Sequence, residues 1–145
     1  MRSPLALALA PICALAACLS AVPAATAADP PDGHAEIDRA YHACLDQAGS
    51  TAKQLACVDQ AYGAWDRVLN DNYKAAMAHL SPRNQDLLRE AQRQWLAYRD
   101  ADSRFQAADW SFGQGTFIRV VLADASLQIV RARALVLGSY ISPGD

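Results

Sequence analysis

Nowhere in this sequence do apolar and polar residues alternate with the period of two that marks a half-buried strand, and no segment repeats another. Sheets therefore drop out, and helices are left as the building elements. Basic residues are not in excess either: 13 Lys and Arg stand against 15 Asp and Glu. Nucleic acid is excluded as the main partner, while the mild acidity suits a cationic one. Histidine is scarce, and His34, His42 and His79 each read as a surface residue rather than a ligand. There is no Gly-rich phosphate loop, no nucleophile elbow and no zinc-type histidine pair. Asp100 and Asp102 look like paired carboxylates, but residues two apart on a helix point away from each other. Neither an enzyme nor a cofactor site is expected.

Long apolar runs are equally rare. The one that exists, Leu5 to Leu19 behind Arg2, is shorter than the ~20 residues that span a bilayer. Followed by the small residues Ala25-Thr26-Ala27, it has the layout of a secretory signal rather than a transmembrane helix. Two processing routes fit. Cleavage after Ala27 releases a soluble chain from residue 28. Alternatively, Leu15-Ala16-Ala17-Cys18 resembles a bacterial lipobox, with a signal of residues 1–17, Cys18 lipidated, and the Pro-rich residues that follow serving as a tether. Either route places the protein in the periplasm or another extracytoplasmic part of the envelope, soluble or lipid-anchored. Residues 28–34 then form a linker, 35–138 a folded domain and 139–145 a tail.

Of four cysteines, Cys13 and Cys18 belong to the leader, which leaves Cys44 and Cys57. An even pair in an exported protein reads as a disulfide, and closing a loop of this size stabilises by ~3 kcal/mol. A metal site is the weaker alternative, because two thiols without a histidine at ligand spacing are not a tetrahedral set.

Four helices account for the rest. The first covers about Ala35 to Ala48, with Ile37, Tyr41, Cys44 and Leu45 on one side and Gly49 as its C-cap. The second begins at Thr51, which has capping-box spacing to Gln54, and runs to about Leu80. Val58, Tyr62, Trp65, Leu69, Tyr73, Ala76 and Leu80 form its apolar stripe. Ser81-Pro82 starts the third, which runs to about Ala108 with Leu88, Ala91, Trp95, Tyr98 and Phe105 at steps of three and four. After the break at Asp109 to Gly115, Thr116 caps a fourth helix that stops at Gly138 and whose apolar start, Phe117 to Leu122, makes it the most buried element. The expected architecture is an all-α, four-helix antiparallel bundle with one disulfide. It is built on a long αα-hairpin in which the second and third helices bury their aromatic stripes against each other.

Asp66 sits at the edge of the second helix's stripe, and a carboxylate half-removed from water needs a partner. Arg93 and Arg99 are the candidates on the facing helix, with Asn70 and Gln92 completing the hydrogen bonds and Asp100 as a partner to an arginine. The cluster reads as an inter-helix lock fixing register or as a binding surface, and the flanking aromatics Trp65, Tyr73, Trp95 and Tyr98 favour the lock. Trp110 and Phe112, beside Gly113 and Gly115, either anchor a partner or fold back over the bundle end.

Cys44 with Cys57, Trp65-Asp66, Leu69-Asn70 and Tyr73-Lys74 are followed by Leu88-Arg89, Ala91-Gln92-Arg93, Trp95 and Tyr98-Arg99-Asp100-Ala101. In that order they resemble the LprI-type lysozyme inhibitor domain, over about Tyr41 to Leu137. The family usually has a second cysteine pair; this chain has Ser103 at one of its positions and no cysteine near Ala125 at the other. The resemblance implies an exported, non-catalytic bacterial protein, often lipid-anchored, that binds lysozyme and protects peptidoglycan. The alternative is a general periplasmic scaffold that binds another protein or peptidoglycan.

Overall fold

A computed structural model describes residues 34–141. The expected signal sequence, Cys18, nearly all of the expected linker and the end of the expected tail lie outside the described residues. Four helices follow one another: α1 (Ala35–Gln47), α2 (Thr51–His79), α3 (Pro82–Gln106) and α4 (Phe117–Ser139), with a 3₁₀ turn at Asp109–Ser111 between the last two. No strand occurs among the described residues.

The helix ends follow local chemistry, not always as the sequence suggests. Glu36 and Asp38 lie in the first turn of α1, where the helix dipole favours negative charge. Its C-cap is Ala48 in an extended conformation, and Gly49 has no positive φ. Ser50, rather than Thr51, caps α2, its hydroxyl accepting from the Lys53 N–H at 3.4 Å. Pro82 opens α3 as expected, but Ser81 and Thr116 make no side-chain cap. The carbonyls at the end of α2 are met from outside instead: Gln85 Nε2 donates to Met77 O at 3.0 Å and to Leu80 O at 3.1 Å. Helix α4 ends at Ser139, one residue past the expected stop at Gly138. A Cβ there would sit 3.0 Å from Asn72 Nδ2, which donates to Ala134 O at 2.9 Å, so the missing side chain admits a cross-helix bond.

The core lies between α2 and α4. Trp65, Leu69 and Ala76 pack with Leu127, Val130, Ala134 and Leu137, all buried nearly completely. Each large side chain so removed from water contributes about 1.5–3 kcal/mol. Helix α1 packs on α2 through Tyr41 and is stapled to it by the Cys44–Cys57 disulfide, with the Cα atoms 5.7 Å apart. The buried weight of α4 falls in its second half, whereas Phe117 and Val121 at its start are exposed.

The expected burial of the α2 stripe against α3 is corrected here. The chief partner of α2 is α4, not α3. The residues that α3 turns inward are Gln85, Leu88, Gln92, Trp95, Arg99, Asp102 and Gln106, a row with only Leu88 and Trp95 apolar. Such a face cannot compete with the aliphatic run of α4 for the apolar stripe of α2. Hydrogen bonds hold α3 in its place. Besides Gln85, Gln92 Oε1 accepts from Arg133 Nε at 3.0 Å and Gln106 Oε1 accepts from the Ser126 hydroxyl at 2.9 Å. Each is worth about 1 kcal/mol net. The Gln106–Ser126 bond joins α3 to α4 in the region where the resemblance would have led one to look for a second disulfide.

Candidate functional site

Three polar or aromatic assemblies stand out. The first joins three helices. Asp38 of α1 accepts from Arg131 of α4, Nε at 3.1 Å and Nη2 at 2.6 Å, and from the Trp65 indole N–H of α2 at 3.1 Å. The Arg131 guanidinium lies 5.1 Å from the Trp65 ring centroid, and the His34 ring meets Trp65 edge-on at 5.6 Å. The Arg131 hydrogen bonds hold the Asp38 carboxyl below its ordinary range, against the opposing pull of desolvation, with Arg131's charge and the Trp65 hydrogen bond adding to the lowering. Nearby, the Tyr41 hydroxyl donates to Asp124 at 2.7 Å, and burial followed by that carboxylate pushes the phenol above its usual value. This assembly is a fastening of α1, α2 and α4.

The second is a groove of about 390 Å³ between α2 and α3, lined by Asp66, Asn70 and Tyr73 on one wall and Gln92, Arg93, Trp95 and Arg99 on the other. The sequence cluster is thus brought to one place, but the expected pairing of Asp66 with Arg93 or Arg99 is not formed. Asp66 accepts from Asn70 on its own helix at 3.1 Å, Arg93 pairs with Glu90, and Arg99 pairs with Asp100 at 3.1 Å. The physical reason is the loose docking of α3, which leaves the walls apart and each charge nearer its helix neighbour. Arg99 lies over Trp95 at 5.4 Å from the ring centroid and Arg133 at 6.0 Å. Arg133 Nη2 is buried without a hydrogen-bond partner. Asp100 faces a neighbouring groove of about 600 Å³ with Asp59, Asp102 and Ser103. Tyr98, expected to pack inside, lies on the outer face of α3.

The third assembly is the tip between α3 and α4. Trp110 stacks on Phe105 at 5.1 Å, and its indole N–H donates to Phe105 O at 2.6 Å. Gln114 Nε2 donates to Trp110 O, and Gly113 and Gly115 take φ of +86° and +80°, conformations that only glycine adopts without strain. Trp110 therefore folds back, while Phe112 projects, 74% exposed. Among the described residues no group of His, Cys, Asp and Glu is placed to hold a metal.

A family model described as "Lysozyme inhibitor LprI" matches residues 44–137. The chain belongs to the LprI lysozyme inhibitor family. A crystal structure of an uncharacterized protein from Burkholderia thailandensis is similar, with a TM-score of 0.67 and 33% identity. The match covers 74% of the present chain and 56% of that one, so this chain spans little more than half of that relative. No curated protein matches.

Within this LprI domain, Gln92, Arg93, Trp95 and Arg99 of the second string line the groove wall of α3, and Asp66, Leu69, Asn70 and Tyr73 of the first line the opposite wall. Sequence reasoning missed Asp38, Arg131, Arg133 and Asn72, whose bonds cross between helices. One signal was present. Arg131 and Arg133 sit among the apolar residues of α4, and a cation on such a face demands a partner from another element.

Proposed function

We propose that this domain is a non-catalytic inhibitor that binds lysozyme in the bacterial envelope and shields peptidoglycan from it. The family match over residues 44–137 carries the reading. The leader supports export, with lipidation at Cys18 or cleavage after Ala27 as the two routes. No helix among the described residues is long and apolar enough to cross a membrane.

The contact is assigned to the tip. Phe112 projects from a turn whose shape is held by two positive-φ glycines and by the Trp110–Phe105 stack. A preformed aromatic protrusion loses little conformational freedom on entering a cleft. The acidic balance of the chain assists approach to a cationic enzyme. The polar groove between α2 and α3 is the second candidate surface, because its exposed ion pairs are weak and readily exchanged.

Lysis of a cell-wall suspension tests the proposal. Half-inhibition should track the enzyme concentration, as stoichiometric binding requires, and weaken as salt is added. Phe112→Ser should reduce inhibition without lowering Tm. Unimpeded lysis by every lysozyme class, with the protein in large molar excess, would remove the reading and leave a general envelope scaffold in its place.

A further inference from the structure

Helix α3 has a second row, on an exposed flank roughly 100° round the helix from the face it turns inward. Leu87, Ala91, Gln94, Tyr98, Ala101 and Phe105 recur at steps of four, three, four, three and four, and every one of them is exposed. Leu87, Tyr98 and Phe105 keep 62%, 56% and 61% of their surface in water. The mostly polar row faces in, and this more apolar row lies open to water on the flank. That arrangement has a cost in a monomer, and the spacing is the one by which two helices pack side by side with a slight supercoil.

We propose that this outer row is the interface of a two-fold homodimer, α3 lying antiparallel against α3 of a second copy. The row is complementary to its own reverse. Antiparallel alignment sets Leu87 against Phe105 of the second copy, Ala91 against Ala101, and Gln94 against Tyr98. Small meets small at an inner layer, bulk meets bulk at the ends, and an amide meets a phenol hydroxyl. Charge agrees with that direction. Glu90 and Arg104 border the row on the same side, and reversal brings Glu90 of each copy opposite Arg104 of the other, twice by symmetry. A parallel two-fold alignment would carry the two residues to opposite sides of the contact and lose both pairs. Arg104 makes no ion pair among the described residues. Glu90 pairs with Arg93 and accepts from Gln94 Nε2 at 2.7 Å, both on its own helix and in exposed contacts that are cheaply exchanged. The inference does not rest on lysozyme binding, because the row lies on α3 and the proposed contact lies at Phe112.

Sedimentation equilibrium of the protein expressed with its leader and purified after processing decides the matter. The expected result is a reversible dimer whose population rises with concentration. Leu87→Glu and, separately, Tyr98→Glu should give monomers of unchanged helicity that still inhibit lysozyme as well as the parent. Arg104→Glu should raise the dissociation constant by about tenfold, and adding Glu90→Arg should recover most of that loss. A parent that stays monomeric at every concentration overturns the proposal. So does a dimer that both glutamate substitutions leave intact, or a row that holds a different envelope protein in place of a second copy.

Discussion

Replacing Asp38 by alanine probes the fastening of α1, α2 and α4 at the acceptor that Arg131 and Trp65 share. Trp65 is 1% exposed, so its indole N–H cannot turn to water once Asp38 is gone. An unsatisfied buried donor costs about 1–3 kcal/mol. The lost hydrogen bonds to the Arg131 guanidinium are of the charged kind, worth about 1.5–3 kcal/mol, toward the lower end here. The reduction applies because the two side chains keep 29% and 33% of their surface in water. Together the change should destabilise by roughly 2–4 kcal/mol, which for a domain near 100 residues lowers Tm by roughly 10–20 °C. Thermal unfolding followed by circular dichroism at neutral pH, with the disulfide intact, measures it. Asp38→Asn keeps an oxygen for Trp65 and should lose about half as much. The pH dependence follows from sign. The folded-state carboxyl titrates below its ordinary value of 3.8, so its contribution is complete above about pH 5 and fades as pH falls through the folded value. Parent and Asp38→Asn should therefore converge on acidification below that range. An Asp38→Ala protein that melts within about 2 °C of the parent would refute the fastening.

The disulfide and two glycines give further tests. Cys44→Ser with Cys57→Ser opens a loop with a sequence separation of 13, and denaturant unfolding should show a loss of about 3 kcal/mol. Gly63 lies inside α2, and a methyl added there would meet only Arg67 Nη1, at 3.8 Å, so Gly63→Ala should stabilise by about 0.5–1 kcal/mol. Gly138→Ala gains the same helix propensity but crowds Asn72 at 3.0 Å and strains its bond to Ala134 O. Its Tm should fall below that of Gly63→Ala, and equal gains would mean that Asn72 contributes nothing there.

Helix limits were legible because each rests on neighbours in the chain. Pro82 starts α3, Gly113 and Gly115 break the chain before α4, and the apolar period of α2 picks out Trp65, Leu69 and Ala76 as core. The caps were less legible, since adjacent Ser50 and Thr51 are chemically equal candidates and only the backbone path chooses between them. Of the candidate site, residues of the strings Asp66 to Tyr73 and Gln92 to Arg99 do meet along one groove, while Asp100 faces the next one. Their pairing was misjudged because an arginine beside Glu90 or Asp100 satisfies itself locally before it reaches across a gap.

Periodicity, capping chemistry and the two remaining cysteines determined, without any coordinates, that the domain is helical, where its helices run and that sulfur ties the first to the second. Those properties depend on residues a few positions apart. Which helices face each other was decided only in three dimensions. The aliphatic face of α4 outcompeted the mixed face of α3 for α2, and three glutamines then fixed α3 with a more apolar flank left exposed. A choice between two candidate faces depends on the difference in what each buries, and that difference exists only after the whole chain has been placed.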